Sequence, residues 1–180
     1  MALYVTDGST AKKRGGYIQS KTFNMNPNNS AVNGDTDNNN FTASGITSCS
    51  LNMGVPASTN SVFFITGEAQ LHTDTSPAGT NPTDVGGYSG LGIQVSTNGG
   101  SSWFELKDQG RWAEGMAADN DHNTRMNIFA RHRPNTTGSV VYRLTWNSHR
   151  SRVYIGRVPS NNNGGTTSLH VVEYDNGETS

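Results

Sequence analysis

The chain has 180 residues, an apolar fraction of 32%, a charged fraction of 15% and a formal net charge of −1. Low charge excludes a disordered polyelectrolyte, and the missing basic excess excludes a general binder of nucleic acid or acidic membrane. The length suits one domain able to bury about 70% of its unfolded surface, and a polar, Gly-, Asn-, Ser- and Thr-rich chain with little Ala, Leu, Glu or Lys favours short strands and loops over long helices.

Residues 1–40 read as an extended N-terminal arm or first strand followed by a polar loop. The segment GGYIQSKTFNM is extended, with Tyr17 and Phe23 as packing candidates. The tract NPNNSAVNGDTDNNN favours turns, because Asn and Asp side chains bond nearby backbone. The amino terminus has no apolar run of the signal-peptide type, and no segment is apolar enough to span a bilayer.

The body, residues 41–180, opens at Phe41. FTASGITSCSLNM alternates, with the lone Cys49 in phase with Phe41, Ala43, Leu51 and Met53. That makes Cys49 a small buried hydrophobe rather than a nucleophile, and a single cysteine forms no intrachain disulfide. SVFFITGEAQLHT places Phe63 and Ile65 on one face and Val62 and Phe64 on the other. Such a strand contacts something on both sides: helices over a parallel sheet, or a partner chain over an antiparallel one.

GLGIQVSTNGGSSWFEL reads as a hairpin, in which Asn98-Gly99 suits a type I′ turn and Trp103, Phe104 and Leu106 lie on the return strand. TRMNIFARHR and SVVYRLTW are expected to pair across PNTTG, SRVYIGRV to follow a turn at Asn147-Ser148, and SLHVVEY to close the chain. Apolar side chains recur at Val140, Tyr142, Leu144 and Trp146, at Val153 and Ile155, and at Leu169 and Val171. This period of two is that of an antiparallel sheet with one wet face. About eight to ten strands with turns every ten residues or so suit a sandwich or barrel.

Candidate chemistry is sparse. Asp35, Asp37 and Asn39, and again Asp119, Asp121 and Asn123, have the alternate-oxygen spacing of a calcium loop. Neither has the glycine or the final acid of an EF-hand, so polar loops are the simpler reading and no cofactor is expected. GYSGLG has Leu91 where a nucleophile elbow needs glycine. Glu68, Glu105, Glu114 and Glu173 show no spacing that suggests paired carboxyl chemistry. Arg131, His132 and Arg133 read as a solvated hairpin end, as do His149, Arg150 and Arg152. Among aromatics able to stack on sugars are Trp103, Trp146, Tyr154 and Tyr174, although alternating strand aromatics are more often core. Tyr88, Arg111 and Trp112, on the long loops 73–89 and 111–125, are the ligand-contact candidates.

The order STNGGSSWFEL, HRPNTTGSVVYRLTW, RVYIGRV, SLHVVEY resembles the jelly-roll head domains of bacteriophage virion proteins of the fibre, knob and capsid-decoration type. The last strand matches through Ser168, Leu169, Val171, Glu173 and Tyr174. The resemblance implies an all-β, antiparallel, TNF-like jelly-roll sandwich, assembled as a homotrimer in the virion and without enzymatic activity. It further implies attachment to other virion proteins through the N-terminal arm, outward loops that meet host-surface glycans, and neither nucleic acid nor membrane as a partner. Phe63, Phe64, Tyr142 and Trp146 are then the expected residues of the trimer interface. The alternative is a monomeric carbohydrate-binding module with the same sandwich.

Overall fold

The computed structural model describes residues 2–7, 10–25, 44–74, 88–106, 122–149, 152–155 and 167–175. Among the described residues lie ten strands and no helix: β1 (Ala2–Asp7), β2 (Thr10–Met25), β3 (Ser44–Gly54), β4 (Ser61–Asp74), β5 (Tyr88–Ser96), β6 (Phe104–Glu105), β7 (His122–His132), β8 (Val140–His149), β9 (Arg152–Ile155) and β10 (Thr167–Asp175). One sheet runs β1-β2-β10-β4-β7, with β9 also on β4; the other runs β3-β8-β5-β6. All pairings are antiparallel.

With β1 and β9 set aside, the remaining strands nest. The first pairs with the last (β2 with β10), the second with the seventh (β3 with β8), the third with the sixth (β4 with β7) and the fourth with the fifth (β5 with β6). A long hairpin wound over itself in this way is a jelly roll. The fold is therefore the all-β jelly-roll sandwich that the sequence led us to expect.

The alternation of apolar residues explains the core. Phe63, Ile65 and Ala69 of β4, Met126, Ile128 and Ala130 of β7, and Leu169 and Val171 of β10 point inward from the larger sheet. They meet Cys49, Leu51 and Met53 of β3, Leu91, Ile93 and Val95 of β5, and Val140, Tyr142 and Leu144 of β8. Each large side chain buried here contributes about 1.5–3 kcal/mol. Gly67 is required where the sheets approach, because a Cβ there would overlap Leu144 Cδ2 and lie 2.9 Å from Ile128 Cγ2. Cys49 is a core residue as expected, and burial pushes its thiol pKa up to about 12. Such a thiol stays protonated and inert.

Three expectations about strand neighbours need correction. β7 and β8 do not pair as a hairpin; they lie in different sheets, and residues 133–139 carry the chain across the sandwich. Asn147 and Ser148 are not a turn but strand residues, opposite Gly90 and Ser89. The closing segments consequently do not form one sheet: β7, β9 and β10 belong to the larger and β8 to the smaller. Alternation fixes which face of a strand is buried, and that pattern is the same whether the next strand lies beside it or across the core.

The β5–β6 pairing is present, with Gln94 opposite Glu105 and Val95 opposite Phe104, but its turn is not type I′. Positive φ falls on Gly99 (72°) and Gly100 (100°) rather than on Asn98. Asn98 works through its side chain, whose Oδ1 accepts the Ser102 N–H at 2.9 Å. Ser96 Oγ accepts the Gly100 N–H at 2.8 Å. The Gly99 N–H donates to the Ser139 carbonyl at 3.0 Å, tying this loop to the β7–β8 crossing.

The early residues contribute strands to the same sandwich, since β2 pairs with β10 from Gly16 to Met25 and β1 pairs with β2. Phe41, expected at the start of the body, lies outside the described residues. No helix of the described residues is long and apolar enough to cross a membrane.

Candidate binding surface

The larger sheet has two unlike faces at the end where β10 finishes. On the inner face Gln19, Glu173, Phe63 and His132 form one row across β2, β10, β4 and β7. Glu173 is 0% exposed. Its Oε2 accepts a hydrogen bond from Gln19 Nε2 at 2.6 Å, and its Oε1 accepts the Ala57 N–H at 2.8 Å. Gln19 Nε2 also donates to the Met53 carbonyl at 3.1 Å. The carboxyl group thus holds the β3–β4 connection against β2. Buried polar groups persist when partnered in this way.

The same row reaches the other sheet. His132 Nδ1 and the Tyr142 hydroxyl share a hydrogen bond of 2.9 Å, and Phe63 packs on Tyr142 with ring centroids 5.6 Å apart. Burial lowers the His132 pKa to about 4. Burial, and then the negative charge of Glu173, raise the Tyr142 pKa above the ordinary phenol range. Glu173 and Tyr142 are buried between the sheets and His132 half-buried beside them, and their hydrogen bonds tie strands together. Among the described residues no cluster of three or more His, Cys, Asp or Glu is placed to hold a metal ion.

The outer face carries an aromatic patch. Tyr174 follows Glu173 and points the other way, opposite both Tyr17 and Val62. A register shift between Glu173 and Tyr174 makes this possible: Glu173 pairs with Gln19 and Tyr174 with Tyr17, skipping Ile18. Simple alternation would put Tyr17 on the inner face with Gln19; the bulge turns it outward. Tyr17 then meets Tyr174 edge to face at 6.2 Å, and its hydroxyl lies 3.0 Å from Ser20 Oγ. Tyr174 meets Phe64 edge to face at 5.6 Å, and Phe64 stacks on Phe129 at 6.1 Å.

Four aromatic rings thus line up across β2, β10, β4 and β7. Tyr17 and Phe129 remain 50% exposed and Tyr174 39% exposed. Between Tyr17, Tyr174, Phe64 and Arg131 lies a depression of about 350 Å³, with Val62 also lining it and Gly15, Gly16 and Asp175 completing it. An outward aromatic cluster on a sheet face is a candidate binding surface.

The expected interface residues separate. Phe64 is on the outer face, in the patch. Phe63 and Tyr142 are corrections: both are 0% exposed and pack on each other inside one chain, leaving no surface for a second copy. Trp146 is placed by its backbone in β8, opposite Ser44 and Leu91. Of the ligand-loop candidates, Tyr88 pairs with His149 at the start of β5, and Arg111 and Trp112 lie outside the described residues. So do Asp35, Asp37, Asn39, Asp119 and Asp121 of the calcium tracts, while Asn123 is in β7 opposite His72. The basic triplet is split, with Arg131 and Arg133 exposed and His132 turned to Tyr142. Trp103 offers no bare platform, because the Arg143 guanidinium sits 3.9 Å over its ring.

Sequence reasoning missed Tyr17, Phe129 and Arg131 as a group. The alternation of Phe129 and Arg131 against buried Ile128 and Ala130 was the available signal for two of them; the bulge that frees Tyr17 left none.

No family model and no curated protein matches the chain. Solved structures similar to it include one of infectious bursal disease virus, Gx strain, with TM-score 0.38 and 11% identity over 99% of this chain and 43% of that chain. Another is the T13 particle of the same virus, with TM-score 0.33 and 9% identity over 98% of this chain and 40% of that chain. This chain spans about two fifths of the length of those viral chains. At that similarity the jelly-roll assignment rests on the strand pairing itself.

Proposed function

We propose that this chain is a non-enzymatic structural protein of a bacteriophage virion, a homotrimeric capsid-decoration or fibre-tip domain that acts by binding. The observation that carries the reading is the aromatic patch on the outer face of the jelly roll: aromatic groups face outward, while the described acid and imidazole of the inner row are bonded to other strands as structural ties. The resemblance of the closing strand to phage head domains supplies the virion context. Attachment to other virion proteins is assigned to the amino-terminal edge, where β1 ends the larger sheet and offers backbone groups for an added strand. The trimer interface uses neither Phe63 nor Tyr142.

Mass photometry at micromolar concentration tests the assembly. A trimer is expected, and a monomer at every concentration contradicts it. A second reading, a monomeric carbohydrate-binding module, is favoured by the same exposed rings, since stacking on sugars needs no assembly. Monomeric protein that retains glycan binding would select that reading.

A further inference from the structure

We infer that the depression between Tyr17, Tyr174, Phe64 and Arg131 binds an acidic saccharide, a short glycan carrying a sugar carboxylate. This rests on the proposed role in contacting a host surface and gives that contact a place on the sheet face rather than on the loops.

The volume of about 350 Å³ is at the lower end of small-ligand clefts, about 300–1,000 Å³. Aromatic rings suit the apolar C–H faces of sugar rings, and Val62 beside them presents no polar group that a ligand would have to satisfy. The charge is specific. β7 and the residue after it turn three arginines outward. Arg125 is paired with Glu68, and Arg133 donates to Asn60. Arg131 lines the depression and has no bonded partner among the described residues. A guanidinium beside apolar rings is a fork for a carboxylate. Asp175 lines the far end of the depression, two strands and three residues from Arg131, a span of about 14 Å. One carboxylate at Arg131, with the sugar ring over Tyr174, fits the depression.

A second copy of the chain fits less well. Half of Tyr17, half of Phe129 and two fifths of Tyr174 amount to about 300 Å² of aromatic surface. A stable protein interface takes about 800 Å² from each partner.

The test titrates the full chain with sialyllactose and a galacturonate trisaccharide, using lactose and the carboxyl-reduced trisaccharide as neutral counterparts. Binding of an acidic sugar in preference to its neutral counterpart is expected. Arg131→Ala should weaken the acidic sugar about tenfold and leave the neutral one unchanged, Tyr17→Ala should weaken both, and Tyr174→Ala should abolish measurable binding of both. Mass photometry and circular dichroism on the same samples should show assembly and fold unaltered. No preference for the acidic sugar, or binding unchanged in both Arg131→Ala and Tyr174→Ala, overturns the site. So does loss of assembly in Tyr174→Ala, which would make the patch an interface between copies. Acidic-sugar binding by a monomeric wild type would support the site and remove only the trimer.

Discussion

Glu173 and Tyr174 are adjacent in the chain and sit on opposite faces of one sheet. Glu173 is fully buried, with each carboxyl oxygen bonded to a different part of the fold. Tyr174 is 39% exposed, and its ring packs against Tyr17 and Phe64, which are themselves partly exposed. The inner face converts polar groups into ties between strands, whereas the outer face keeps apolar groups in water. Burying a bonded polar group is what stability needs; exposing a cluster of aromatics has no such use, and the proposed binding role rests on that difference.

The sharpest contrast is between Phe63 and Phe64. Phe63→Ala should cost about 3–5 kcal/mol, because it opens a cavity against Tyr142 in a core that cannot collapse freely. Phe64→Ala should cost about 1 kcal/mol, chiefly its ring contacts with Tyr174 and Phe129. Urea unfolding of the two variants checks this, and equal losses would erase the distinction between the faces.

Next in size is Glu173→Ala. It leaves Gln19 Nε2 with only the Met53 carbonyl and the Ala57 N–H without its acceptor, at about 2–4 kcal/mol. Hydrogen exchange at Ala57 should accelerate with it.

Acid should act on the inner face through His132. Its folded pKa is lowered to about 4 from 6.5, so the unfolded chain takes up a proton first. This contribution to stability is complete above pH 6.5, falls as pH drops through the window from 6.5 to 4, and is lost below that. With partial solvent access it amounts to about 1–2 kcal/mol. Unfolding followed at pH 7, 5.5 and 4 measures it, and His132→Phe should flatten that part of the profile.

The two faces were unequally legible in the sequence. Val62–Phe63–Phe64–Ile65 announced a strand with apolar groups on both faces, and Cys49, Leu51 and Met53 announced a buried face. Those readings follow from period-two geometry, which the chain states directly. Strand neighbours were not legible: PNTTG looks like a hairpin turn, yet it carries the chain from one sheet to the other, and nothing local distinguishes the two. Nor was the patch. It depends on skipping Ile18 in the pairing of β2 with β10, a register choice made by tertiary packing.

The smallest stability effect belongs to the outer face, and it provides the most direct test. Tyr174→Ala should change the unfolding free energy by no more than about 1 kcal/mol while abolishing measurable binding of sialyllactose or the galacturonate trisaccharide. Both quantities are to be measured on one preparation, beside Glu173→Ala. Stability near wild type with binding lost is the expected result. A loss of stability as large as that of Glu173→Ala, with saccharide binding unchanged, would contradict the assignment of the outer face to recognition.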